Sequence, residues 1–155
     1  MNKAFVKDEE GAPLGEALPD REIPSHPNLV TADGLQHIDR MLAEADRAFA
    51  EAQEADDRDA MARAAREQRY WTSRRSTAQL VHPPADKRHV HFGSKVTIER
   101  DDGRKQTFRI VGIDEADPAH GTVSYVSPMA QALSGKAVGD VVTVGGHEAE
   151  IVAIA

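Results

Sequence analysis

Apolar positions fall into three regimes along the chain. Residues 1–30 show no periodicity and hold Pro13, Pro19, Pro24 and Pro27, a spacing that blocks both helix and inner strand. An extended, proline-rich tail is expected there, with Phe5, Val6, Leu29 and Val30 available to dock on a neighbouring surface. From Thr31, a candidate N-cap, Leu35, Ile38, Leu42, Ala45, Phe49 and Ala52 recur at alternating steps of three and four, the signature of a helix with a heptad seam. The pattern breaks at Glu54–Asp59 and resumes with Met61, Ala64, Gln68, Trp71, Arg75 and Ala78. Gln68 and Arg75 are polar at seam positions, where their aliphatic stems are expected to pack. Residues 31–81 therefore predict an antiparallel two-helix hairpin of about 22 residues per arm, roughly 33 Å long at 1.5 Å per residue.

His82-Pro-Pro-Ala-Asp86 ends the second helix, because two prolines cannot continue it. Residues 82–89 read as a linker, and from residue 90 to 155 the period changes to two. Val96 and Ile98 alternate with polar neighbours, Asp101-Asp-Gly103 marks a hairpin turn, and Phe108 to Ile113 is a second strand. Asp117-Pro-Ala-His-Gly121 is a turn before a third strand, Val123 to Val126. Ser127 then supplies an N-cap oxygen, Pro128 the first helical position and Gly135 a left-handed stop, which together pin a short helix. Val141 to Val144 and Ala149 to Ile154 are expected to pair across Gly145-Gly146. The fold class is α+β: a helical hairpin followed by a small, mostly antiparallel β domain with one short helix.

Charge strengthens the hairpin. Residues 33–59 carry nine acids against Arg40, Arg47 and Arg58, while residues 60–81 carry five arginines against Glu67 alone. Antiparallel pairing sets these flanks side by side, in exposed ion pairs of about 0.2 to 1 kcal/mol each that jointly specify the partner arm. Arg74 and Arg75 are expected to face Asp39 or Glu44 across the hairpin. The net charge of −7 argues against sequence-specific or broad direct contact with nucleic acid. The absence of cysteine removes disulfides, thiol catalysis and zinc–cysteine sites. No apolar run approaches the roughly 20 residues a membrane span needs, and the N-terminus lacks a signal-peptide pattern. A cytoplasmic monomer without an intrinsic cofactor is expected.

Several of these segments resemble the bacterial GreA/GreB transcript cleavage factors. They are Val30-Thr-Ala-Asp-Gly-Leu35, Val90-His-Phe-Gly-Ser-Lys-Val96, Phe108-Arg-Ile-Val-Gly-Ile-Asp-Glu-Ala-Asp117, and Ser127-Pro-Met-Ala-Gln-Ala-Leu133 with Lys136-x-x-Gly-Asp140. The resemblance implies a coiled coil joined to an FKBP-like C-terminal domain. It also implies docking of that domain at the RNA polymerase secondary channel and delivery of an acidic tip to the Mg2+ of the polymerase active site, which promotes cleavage of backtracked RNA. A hard divalent cation prefers such oxygen donors. Candidate tip carboxylates are Asp56, Asp57 and Asp59, and candidate docking residues are Asp114, Asp117, Ser127, Pro128 and Met129, with Glu115 in the same acidic turn.

Two departures separate this chain from the family. The family tip resembles Gly-Asp-Arg/Leu-x-Glu-Asn, whereas this chain reads Asp56-Asp-Arg-Asp-Ala-Met61, with Ala60 at the glutamate position and Met61 at the asparagine. The arms are also shorter by about two turns, roughly 11 Å, in which respect they are similar to the Gre-related protein Rnk. A cleavage-stimulating factor and a non-cleaving regulator that competes with Gre factors both follow. An FKBP-like isomerase or chaperone is a remote third, since such pockets are usually lined by aromatic side chains and this chain has few. His82, His89 and His91 raise the idea of a metal site without a spacing that fixes one. Tyr70 and Trp71 are expected in the hairpin core rather than in base stacking.

Overall fold

Residues 18–155 are described by a computed structural model. The chain divides into two compact units: Ile38–Thr77 with the segment ending at Ser25, and His26–His37 with Ala78–Ala155. The expected docking of Phe5 and Val6 lies outside the described residues.

The first unit is the hairpin. Helix α1 spans Ala32–Glu54 and helix α2 spans Arg58–Thr77, so the arms have 23 and 20 residues. On α1 every predicted seam position is at least half-buried, with Ile38, Ala45 and Ala52 fully so. Arg75 Nε donates to Asp39 at 2.7 Å and Gln68 Nε2 to Asp46 at 2.8 Å. Both pairs step one heptad along each arm in opposite directions, which fixes the antiparallel register.

The seam of α2 needs correction. Arg75 is exposed and turned to Asp39, and the buried arginine is its neighbour Arg74, only 1% exposed, with its guanidinium 6.0 Å from the Tyr70 ring centre. Tyr70 joins Trp71 in the interior, edge to face at 4.9 Å. A basic pair thus splits, one member buried whole beside an aromatic ring and the other pairing in solvent.

The second unit is built on a five-stranded sheet. Strands β3 (Lys95–Arg100) and β4 (Lys105–Val111) form the expected hairpin, and β6 (Val141–Val144) and β7 (His147–Ile154) form another. Strand β5 (Thr122–Ser124) runs parallel to β4, giving the order β5-β4-β3-β7-β6. The predicted second strand stops at Val111, two residues early, because Gly112 starts a turn. One face carries the core, including Val96, Ile98, Ile110 and Ile151. Helix α3 (Pro128–Leu133) caps that face with Ala130 and Leu133, both buried. Its expected stop is present: Gly135 has φ 78° and its N–H donates to Val90 O at 2.9 Å.

The residues around the start of α1 also belong to this unit. The end of the expected tail is a strand: β1 (Leu29–Val30) pairs in parallel with β2 (Gln79–Leu80), so chain entering α1 runs beside chain leaving α2. Thr31 is the N-cap, its Oγ1 accepting from Gly34 N–H at 3.0 Å. A capping box would place glutamate at the position of Gly34, reaching back to the cap N–H. Here Glu115, 84 residues away, supplies that carboxylate: Oε2 accepts from Thr31 N–H at 3.1 Å and Oε1 accepts the Thr31 hydroxyl at 2.6 Å. Glu115 Oε2 also accepts from Gly112 N–H at 3.2 Å. The glycine leaves the room for it, since a Cβ on Gly34 would meet Glu115 Oε2 at 2.1 Å and the carboxylate would have to shift.

Glu115→Ala is expected to cost about 2 to 3 kcal/mol, the scale for charge-assisted hydrogen bonds, and Gly34→Ala about 1 to 3 kcal/mol through overpacking. In urea unfolding the double variant is expected to fall short of the sum, because the carboxylate that the added methyl would clash with is gone. Strict additivity would show that the two sites do not share this space.

Candidate functional site

Two regions carry the residues singled out in the sequence, one in each unit. The first is the bend between α1 and α2. Asp56 adopts φ 54°, the left-handed region that favours glycine and tolerates aspartate. Asp57 follows as the N-cap of α2: its Oδ1 accepts from Ala60 N–H at 3.1 Å and its carbonyl from Met61 N–H at 2.9 Å. Asp59 lies in the first turn of α2, where a carboxylate suits the positive end of the helix dipole. Asp56, Asp57 and Asp59 are all exposed. The three acids are therefore brought together at one end of the hairpin, but one oxygen of Asp57 is engaged in holding the turn. These hard oxygen donors suit Mg2+, yet among the described residues no group of three or more acids or histidines is placed to hold a metal ion.

The second region is the surface around the start of α3 and the acidic turn. Ser127 Oγ accepts from Ala130 N–H at 3.2 Å, so it is spent on the cap. Met129 packs against the core, and Pro128 is exposed. Asp114 is half-buried, while Asp117 is exposed and takes His120 Nδ1 at 2.6 Å. Glu115 turns away from this surface onto Thr31, so it is not among the acids that the turn can offer a partner. The Lys136–Asp140 segment is likewise structural, with Asp140 Oδ2 accepting from Ala137 N–H at 2.8 Å. Sequence reasoning missed the exposed Val138 and Val141, 54% and 58% accessible beside this turn. Their signal was present, as apolar residues flanking Gly139-Asp140 at the entry to β6.

The histidine pair has a local partner. His89 Nδ1 and His91 Nε2 lie 3.0 and 3.4 Å from the same oxygen of Asp86, and Arg88 N–H donates to the other at 2.8 Å. The hydrogen bond from His89, followed by that from Arg88 N–H, holds the Asp86 carboxyl well below the usual carboxylate range.

Residues 85–155 match the family described as transcription elongation factor, GreA/GreB, C-term. A GreA of Alkalilimnicola ehrlichii is 42% identical over 125 residues, covering 70% of this chain and 79% of that protein. A GreB of Neisseria meningitidis serogroup B is 40% identical over 92 residues, 56% of each chain. The chain thus spans about half the length of that relative, and likewise of a Pasteurella multocida GreB, where 49% is covered. Among solved structures, the GreA factor homolog 1 of Thermus thermophilus aligns at TM-score 0.41 and 23% identity, covering 84% of this chain and 99% of that one.

Asp57→Ala is expected to lower stability by about 1 kcal/mol through the lost cap, with Asp57→Asn nearly neutral because asparagine caps equally well. Asp56→Gly is expected to raise it by about 0.5 to 1 kcal/mol by relieving the left-handed backbone; thermal unfolding of the three variants measures both. For Asp86 the sign follows from its depressed value: ionised Asp86 stabilises above its ordinary value of 3.8, and that contribution fades as pH falls below it. Wild type should therefore melt above Asp86→Asn at pH 6, with the gap narrowing in scans below about pH 4.

Proposed function

The chain belongs to the GreA/GreB family of transcription elongation factors, and on that premise we propose that it binds RNA polymerase and regulates elongation, presenting its hairpin bend to the secondary channel. The observation that carries this reading is the 42% identity to a GreA over 79% of that protein's length. The β unit supplies the docking surface in this reading, through Asp114, Asp117 and Pro128, with Val138 and Val141 adding apolar area. Ser127 and Met129 contribute by shaping α3, since the one is spent on the cap and the other packs against the core.

At the bend, Asp56, Asp57 and Asp59 would approach the Mg2+ of the polymerase. That ion supplies Lewis acidity toward the attacking water and the phosphodiester; the chain supplies negative oxygen donors and a capped turn that holds them. Any hydrolysis belongs to the polymerase active site, and this chain is an accessory factor.

A second reading rests on particular residues. Ala60 and Met61 stand where the family motif carries glutamate and asparagine, and the arms have only 23 and 20 residues. Both features favour a factor that occupies the channel, competes with longer Gre factors and cleaves nothing.

The test is a backtracked polymerase complex with end-labelled RNA, with binding followed separately by competition against a labelled GreB. Shortened RNA products that disappear with Asp57→Asn, which keeps the cap and removes the charge, are expected of the cleaving factor. Displacement of GreB without new RNA products is expected of the second reading. Failure to bind polymerase overturns both.

A further inference from the structure

Ahead of the hairpin, in the same unit, a strap of chain lies on α2 and is held there by chemistry that selects an arginine. The Arg21 guanidinium sits 3.8 Å from the Tyr70 ring centre and 5.6 Å from that of Trp71. Its Nη1 donates to Glu67 Oε1 at 2.8 Å, and the same oxygen accepts from the Trp71 indole N–H at 3.2 Å. One carboxylate oxygen therefore ties together the cation and one of the rings beneath it. One residue earlier, Asp20 accepts from Arg69 Nε at 2.5 Å. Glu67, Tyr70 and Trp71 share one helical face by their spacing of three and four.

Charge complementarity runs both ways. Helix α2 has several arginines, and Glu67 is the only acid between residues 60 and 81. The strap brings an acid to one of those arginines and a cation to that acid. The arm has reason to need it: its inward positions include the polar Gln68 and the small Ala62 and Ala64, and the Nε of Arg66 is buried with no hydrogen-bond partner among the described residues. A planar guanidinium both stacks on a ring and forks to a carboxylate, whereas a lysine ammonium reproduces only the charge.

We propose that Glu67, Tyr70 and Trp71 form an arginine-recognition face on α2, that its partner is the chain's own strap from Leu18 to Ser25, and that seating of Arg21 there sets the local stability of the second arm. The latch has an ionic half and a stacking half. The Arg21 and Glu67 side chains are 38% and 34% exposed, so salt screens the ion pair while the stacking persists.

Trp71 is the only tryptophan in the chain and reports directly on this contact. In the full chain, Arg21→Ala is expected to increase acrylamide quenching of Trp71 and to speed amide exchange around residues 70–74 by about three- to thirty-fold, the range for a cation–π contact and its ion pair. Exchange of the sheet amides of Val96 and Ile151 should stay at the wild-type rate. Arg21→Lys should fall between wild type and Arg21→Ala in both readouts. Unchanged quenching and exchange in Arg21→Ala, faster exchange in the sheet as well as in α2, or full restoration by lysine would each overturn the arginine-specific latch. None of these readouts involves polymerase, so the outcome is separate from that of the functional reading.

Discussion

The start of α1 depends on a carboxylate that its own sequence does not provide. A helix leaves its first N–H groups unpaired, and the local remedy is a threonine cap with glutamate three residues on. Thr31 is present, but Gly34 occupies the second place, and Glu115 fills the vacated volume from the turn after β4. Three N–H groups, of Thr31, Gly34 and Gly112, and one hydroxyl are satisfied around a single half-buried Thr–Glu pair. Neighbouring contacts follow the same path. Gly112 lets the backbone of β1 approach, as a Cβ there would meet Leu29 O at 2.4 Å, and the Tyr125 hydroxyl donates to Pro27 O just upstream. Within the second unit, residues 27–34 are thereby tied to the β sheet through side chains on β4's turn and on the segment after β5.

The bend at the other end of α1 follows a related rule with a different outcome. There the carboxylate of Asp57 is local, and the group that could face a metal is also the group that holds the turn. An exposed cap has little rotamer freedom while its hydrogen bond is made, so Asp56 and Asp59 carry the share of negative charge that is not committed to the helix. This arrangement fits ligands offered to a cation from outside; a closed metal site would need more donors converging at short range.

Much of this was legible from short-range grammar. The cap of α3 at Ser127, the heptads of α1, the Asp-Asp-Gly and Gly-Gly hairpins and the break at Glu54–Asp59 all depend on residues within a few positions of one another. What was not legible depends on partners far apart in sequence. Glu115 reads as one acid in a polar turn until Gly34 is seen to leave room for it, and Arg21 reads as part of an aperiodic tail until Tyr70 and Glu67 are seen beneath it. Arg74 and Arg75 are adjacent, and only three-dimensional placement decides which is buried. For the candidate site, the sequence identified the acids at the bend correctly as neighbours, but not that Asp57 would cap, nor that Ser127 and Met129 serve the fold of α3 before any partner.

The central physical claim is that a remote carboxylate completes the cap of α1. Its most direct measurement is residue-resolved amide hydrogen exchange of Thr31, Gly34 and Gly112 in the wild-type protein. Hydrogen-bonded to Glu115 or to the cap it supports, all three should be protected to the level of the adjoining strand amides of Ile110 and Val111. Exchange of Thr31 and Gly112 at the rate of open, solvent-exposed amides would contradict the account.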